Sequence, residues 1–178
     1  MRNSKGLSSL LLGLAVLSLS LVAACGETGP TSPSQDAFNT YANDEWGCAI
    51  SYPNNWEIQV VPEDGTCLIS SPTLAGRGSV RLDVIPAAIS AKKAAESYLM
   101  ALGTAWGSVT LLHSMKMEGL WDWYLSYDYE SGYGEFHGEA FFKETPDHLY
   151  KIDTAGEKLT YDTFPFPEII STFELLSE

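Results

Sequence analysis

Apolar positions follow different periods in different parts of the chain. The first part is a continuous run. Arg2 and Lys5 precede a stretch without charge from Gly6 to Gly26, with "LLLGLAVLSLSLV" at its centre. The next part alternates. Cys48, Ile50 and Tyr52 alternate with Ala49 and Ser51, and after Pro53-Asn54-Asn55 the alternation resumes at Trp56, Ile58 and Val60. A two-residue period predicts strands with one covered face. "TCLISS" and "SVRLDVIP" predict two more. The period then lengthens. In "SAKKAAESYLMALGTAWG", Ala95, Tyr98, Leu99, Leu102 and Trp106 recur at helical spacing, with Lys92, Lys93, Glu96 and Ser97 on the opposite side. Ser90 is placed to cap this helix and Gly107 to end it.

Alternation returns in "VTLLHSMKM", "LWDWYLSYDYE", "EFHGEAFFKE" and "HLYKID". Short turns containing Gly or Pro separate most of these segments, which predicts an antiparallel meander. Near the end, Pro167 suits a first helical position, and Phe166, Ile169, Ile170 and Phe173 are spaced as one helical face. The fold class is therefore α+β, an antiparallel β-sheet covered by helices.

The opening run ends abruptly. A basic start, an apolar centre and small residues before a cleavage point describe an export signal. Val22, Ala23, Ala24 and Cys25 resemble the lipobox of bacterial lipoproteins. That resemblance implies cleavage after Ala24, a diacylglyceryl group on the Cys25 thiol and usually an acylated new amino end. Two or more chains, at about 0.8 kcal/mol per buried methylene, give stable anchoring. The competing readings are an uncleaved membrane-spanning helix, which the run is long enough to form, and an ordinary secretory signal. Serines in the second half of the run and the lack of a basic cluster after it weigh against the helix. Residues 1–24 are thus read as a lipoprotein signal peptide. Residues 25–40 are the lipidated cysteine and a flexible tether rich in Gly, Pro, Ser and Thr, and residues 41–178 are a globular domain. A tether of ~15 residues has a root-mean-square reach of roughly 20 Å. The expected location is the cell membrane, lipid-anchored on its extracytoplasmic side.

Composition narrows the partners. The 178 residues are 45% hydrophobic and 12% aromatic, enough for a true core. The formal net charge of −13 excludes nucleic acid as a natural partner, because phosphate binding needs clustered Lys and Arg. It also excludes a polybasic grip on anionic lipid. Partners are then the membrane, through lipid on Cys25, and an envelope protein.

Once Cys25 carries lipid, Cys48 and Cys67 remain as a pair. An exported protein meets an oxidising compartment, so a disulfide between them is expected. It would close a loop of about 20 residues and contribute on the order of 3 kcal/mol. A metal-binding or nucleophilic thiol is a competing reading, against which the wide spacing and the lack of a His at zinc-ligand spacing weigh, and two buried free thiols are the other alternative.

Candidate chemistry is sparse. The chain has no Gly-x-Ser-x-Gly elbow and no His-Glu-x-x-His, and its histidines are His113, His137 and His148. The densest constellation is "YDYESGYGEFHGEAF". If the turn pairs Glu130 with Glu135, then Asp128 faces His137 and Ser126 faces Glu139, all on one sheet face. Trp121, Trp123, Leu125, Tyr127, Tyr129, Phe136, Ala140 and Phe142 would share the other, core face. Asp128, His137 and Glu139 are the candidate ligands for a divalent cation, since oxygen donors suit calcium or manganese. A solvated sheet edge is the competing reading. No other cofactor is implied. Trp46 and Trp56 are either core residues or the lining of a ligand groove.

Two segments carry a family resemblance. "ISYPNNWEI" resembles the "YP-x-x-W" opening of PsbP-like proteins. "HLYKIDTAGEKLTYDTFPFPEIISTFEL" is similar to their closing pattern, with Ile169, Ile170, Ser171, Thr172 and Phe173 at the end and one inserted residue. The order of elements also matches from about residue 40 to residue 176. The resemblance implies an α/β/α sandwich with a binding or assembly role, and it carries over no substrate. The expected function is a non-enzymatic lipoprotein that binds or helps assemble an envelope component. The alternatives are a lipoprotein that binds a small ligand or a divalent cation, and an enzyme whose site is assembled only in space.

Overall fold

The computed structural model describes residues 37–72 and 77–176. The signal residues 1–24, the lipobox with Cys25, and the tether up to residue 36 lie outside the described residues. The strands are β1 (Phe38–Asn43), β2 (Cys48–Pro53), β3 (Glu57–Val61), β4 (Thr66–Ser70), β5 (Gly78–Pro86), β6 (Val109–Lys116), β7 (Trp123–Ser131), β8 (Gly134–Glu144), β9 (His148–Glu157) and β10 (Glu174–Leu175). Helix α1 spans Ala91–Trp106 and the short α2 spans Phe166–Ser171. Among the described residues, no helix is long and apolar enough to cross a membrane.

The strands form two sheets. The larger has the order β3-β4-β5-β9-β8-β7-β6, and the smaller has the order β1-β2-β10. All of their pairings are antiparallel. One face of the large sheet carries Cys67, Ile69, Val80, Leu82 and Ile152, which pack against Cys48, Ile50 and Tyr52 of β2 and Phe166, Ile169 and Ile170 of α2. The opposite face carries Leu125, Tyr127, Ala140, Phe142 and Leu149 beneath Ala91, Ala94, Ala95 and Leu102 of α1. The α+β class is as the alternation predicts. The second cover is a small sheet together with α2, where helices alone were expected.

Helix α1 begins and ends where its sequence signals place it. The Ser90 side chain accepts a hydrogen bond from the Lys93 amide, and Gly107 closes the helix at a φ of 77°. A carboxylate from another element completes the cap: the Ala91 amide donates to Glu144 Oε2 at 3.1 Å. Glu144 therefore ties the start of α1 to the end of β8 and satisfies an amide that the helix cannot.

Several expectations need correction. Phe38–Thr40, assigned to the tether, belong to β1, which pairs with β2 from Phe38↔Pro53 to Asn43↔Cys48. Trp121 does not lie on the α1 side. It stacks on Phe173 at 5.0 Å and leans on Phe141 at 5.6 Å in the opposite core. The physical reason is a turn, in which the Met117 amide donates to the Asp122 carbonyl at 3.1 Å, so strand parity does not extend back to residue 121. Phe173 is buried as expected but lies beyond α2. The structure does not show the expected Cys48–Cys67 disulfide. Both are free thiols buried in the core, one on β2 and one on β4, where they pack as small apolar side chains. Burial pushes Cys48 up to about 11. Burial, with a smaller contribution from Cys48, pushes Cys67 up to about 12.

Candidate functional site

The acidic hairpin has the expected register. Glu130 opposes Glu135, Asp128 opposes His137, and Ser126 opposes Glu139. This face is not a solvated edge, because the turn Tyr161–Thr163 lies against it. The Tyr161 ring meets His137 edge-on at 4.5 Å, and Ser126 is buried. Each candidate ligand already has partners within the protein. Asp128 Oδ1 lies 2.7 Å from His137 Nδ1, and its Oδ2 lies 2.7 Å from Lys158 Nζ. Burial alone would raise the Asp128 carboxyl, but hydrogen bonds from Lys158 and His137 outweigh it and hold the group below its ordinary value. Glu139 accepts from the Tyr124 hydroxyl at 2.5 Å and from the Tyr161 hydroxyl at 3.3 Å. The like charges of Glu130 and Glu135 are eased by Lys158, whose Nζ is 4.0 Å from Glu135. Among the described residues, no group of three or more His, Cys, Asp or Glu is arranged to hold a metal ion.

Trp46 and Trp56 are both core residues. Trp46 meets Tyr41 edge-on at 6.2 Å, and Trp56 contacts Phe164 and Phe166 at 6.1 and 6.0 Å.

The other side of the large sheet holds a site that was not singled out from the sequence. Helix α1 covers only part of that face. Between the helix and strands β4, β5 and β9 a cavity of about 370 Å³ remains. Its walls are apolar, from Ile85, Ile89, Ala94, Phe142 and Leu149, and its floor is ionic, from Arg81, Asp83 and Lys151. The floor follows from register. Asp83 opposes Lys151 and Arg81 opposes Asp153 across β5 and β9, while Thr66 opposes Asp83 from β4. Opposite charges thus meet directly in both rows.

The bonding on this floor is dense. Asp83 Oδ1 accepts from Thr66 Oγ1 at 2.7 Å and from Arg81 Nε at 2.8 Å, and Asp83 Oδ2 pairs with Lys151 Nζ at 2.8 Å. Burial would raise the Asp83 carboxyl, yet the charge and hydrogen bond of Lys151, followed by Arg81 and Thr66, hold it below its ordinary value. Lys151 also sits 3.9 Å from the centre of the Tyr98 ring. Tyr98 and Tyr127 converge on Asp153. The Tyr98 hydroxyl lies 2.6 Å from Asp153 Oδ2, the Tyr127 hydroxyl lies 2.5 Å from Asp153 Oδ1, and the two hydroxyls are 3.1 Å apart. Tyr127 reaches across an intervening strand because its neighbour on β8 is Gly138. A Cβ there would stand 2.6 Å from Tyr127 Cζ. Desolvation raises the Asp153 carboxyl above its ordinary value, against the pull of Lys151 and the two phenols.

A signal for this floor exists in the sequence. Arg81-x-Asp83 and Lys151-x-Asp153 repeat one order, cation then anion, and antiparallel pairing reverses one against the other into two matched rows.

No family model matches the sequence, and no curated protein is similar to it in sequence. Solved structures are similar in fold. The cyanobacterial PsbP protein of Synechocystis sp. PCC 6803 is 18% identical with a TM-score of 0.59, covering 86% of this chain and 98% of that one. The Ran-binding protein Mog1p of Saccharomyces cerevisiae is 9% identical with a TM-score of 0.56, covering 79% and 96%. A protein from Bacteroides thetaiotaomicron VPI-5482 is 18% identical with a TM-score of 0.51, covering 80% of this chain and 50% of the other. At these identities the likeness concerns architecture, and it identifies the domain as having a PsbP-like α+β fold.

Proposed function

We propose that this chain is an extracytoplasmic lipoprotein, held to the membrane by lipid on Cys25, whose PsbP-like domain binds a protein of the cell envelope and takes part in its assembly. The observation that carries the protein-binding part is the edge of the large sheet at β6. That strand has eight residues and β7 as its hydrogen-bonded neighbour in the sheet order. Leu111, Leu112 and Met115 on it, with Trp106 at the end of α1, are each 43–48% exposed. Natural sheets usually shorten, charge or cover such an edge. Here the guards are one irregularity between Leu111 and His113 and an exposed lysine at the far end, Lys116, which leave the apolar middle open. The opposite edge, β3, is shorter and begins with an exposed glutamate.

The occupant that fits is an extended, apolar segment of a protein that adds as a further strand. The net charge of −13 favours a partner with neutral or basic flanks and disfavours nucleic acid. Mog1p, on the same fold, is a Ran-binding protein, which supports protein binding as a use of this architecture. The lipid anchor rests on Val22 to Cys25.

The test is proximity cross-linking in intact cells, read by mass spectrometry, with wild type, Cys25→Ser and Leu112→Lys. The expected result is one envelope protein captured by wild type, reduced when the lipid is lost and absent when the edge is charged. An identical capture profile for all three proteins overturns the reading.

A further inference from the structure

The cavity beside α1 lies on a different part of the molecule from β6 and supports a separate inference. Its apolar walls are left partly wet: Ile85 and Ile89 stand at the mouth 43% and 39% exposed. Each square ångström of apolar surface covered there returns about 25 cal/mol, so an apolar ligand gains by filling the space. The volume of about 370 Å³ lies at the small end of the range for ligand sites, roughly 300–1,000 Å³.

The floor selects the head group. Asp83 has three partners, and Lys151 is held between Asp83 and the face of Tyr98. The charge of Lys151, whose side chain is 14% exposed, is already opposed by Asp83. Arg81 differs. Its Nε is fixed to Asp83, while its two terminal nitrogens make no hydrogen bond among the described residues, and its side chain is half exposed at the cavity. A guanidinium oriented through Nε with both terminal donors unused matches the two oxygens of a planar carboxylate. A cationic head finds no counterpart on the floor. The one remaining carboxylate of the lining is Asp64, which is exposed on the rim and belongs to the turn Pro62–Asp64.

We propose that this cavity binds an amphiphile bearing a single carboxylate, with its alkyl part against Ile85, Ile89, Ala94, Phe142 and Leu149 and its head on the Arg81 guanidinium. The ligand is a free acid of medium chain length, not a membrane phospholipid.

The probe is decanoate labelled with carbon-13 at the carboxyl, titrated into the full lipidated chain in phosphatidylcholine nanodiscs and followed by NMR. A saturable resonance distinct from that of empty nanodiscs is expected. Arg81→Gln should weaken it at least tenfold while leaving thermal unfolding nearly unchanged, because Lys151 and Thr66 still hold Asp83. Ala94→Phe should abolish it by filling the cavity, and decanol should compete more weakly than decanoate. No distinct resonance, or equal affinity in Arg81→Gln, overturns the proposal. Displacement of decanoate when phosphatidylglycerol replaces part of the phosphatidylcholine also overturns it, because the occupant would then be an anionic lipid. Failure here leaves the β6 reading intact, since the cross-linking test does not involve this cavity.

Discussion

Replacing Asp153 by Asn tests the proton count beneath α1. Three short contacts join Asp153, Tyr98 and Tyr127, at 2.6, 2.5 and 3.1 Å. The two phenols supply two protons. With an ionised carboxylate both protons go to Asp153, and the contact between the hydroxyls has none. A protonated Asp153 adds the third and closes the ring of hydrogen bonds. The short phenol contacts suit either form, so the third contact distinguishes them. Desolvation raises the Asp153 carboxyl above its ordinary value of 3.8. Above pH 3.8 the folded protein therefore binds this proton more tightly than the unfolded chain does. Its contribution to stability is complete below 3.8 and is lost as pH rises through the folded-state value. Asparagine does not titrate, and its amide supplies the missing donor at every pH. The stability difference, variant minus wild type, should then rise with pH from about pH 4, by up to about 1.4 kcal/mol per pH unit until the folded-state value is passed. Asp83 and Asp128 are held below 3.8 in the fold and so destabilise it as pH falls, but both proteins carry them and they largely cancel. Urea unfolding of the two proteins at half-unit intervals from pH 4 to pH 8 gives the difference directly. A difference that stays flat, or falls, across that range refutes the proton count.

Three further outcomes are expected. Gly138→Ala places a Cβ 2.6 Å from Tyr127 Cζ and should cost about 1–3 kcal/mol of unfolding free energy. In a Tyr127→Leu background most of that cost should disappear, and an unchanged cost would mean that the ring is not the obstacle. Trp121→Ala removes the side chain stacked on Phe173 and should cost about 3–5 kcal/mol in denaturant unfolding, whereas a loss below about 1 kcal/mol would contradict its place in the core. Cys48 and Cys67 should resist iodoacetamide in the folded protein and both react once it is unfolded without reductant, and an intact mass that rises by two hydrogen atoms on reduction would show a disulfide instead.

The residues that could be read correctly from sequence are those whose neighbours are close in the chain. The β7–β8 hairpin joins largely alternating segments through a two-residue turn at Gly132-Tyr133, so its register from Trp123↔Phe142 to Ser131↔Gly134 could be counted. Helix α1 carries its own start and stop signals at Ser90 and Gly107. The floor of the cavity depends on β5 meeting β9, a pairing between distant segments, and Arg81 and Asp83 alone look like an ordinary solvated face. Strand β1 was missed because "FNTYAN" buries little: Phe38 and Tyr41 are only partly covered, and its polar residues resemble the tether before it. The cysteine count was even, but evenness alone does not decide whether two thiols pair, and Cys48 and Cys67 meet in one core as free thiols, one from each sheet.

The two charged faces of the large sheet differ in what they leave open. On the hairpin face Asp128 is shared between His137 and Lys158, and Glu139 between Tyr124 and Tyr161. Among the described residues, no buried side-chain nitrogen or oxygen lacks a hydrogen-bond partner. Such networks fix the packing of the sheet, and a ligand would have to break one internal contact for each one it made. The open capacity lies elsewhere, in the terminal nitrogens of Arg81 beside an apolar cavity and in the outward backbone of β6 beside exposed leucines. Both are polar donors next to uncovered apolar surface, a combination that binding turns to advantage because one event satisfies the donor and dries the surface. The carboxylates that first attract notice in the sequence already have partners inside the protein, and the proposed recognition rests instead on an arginine and a strand edge that carry no motif.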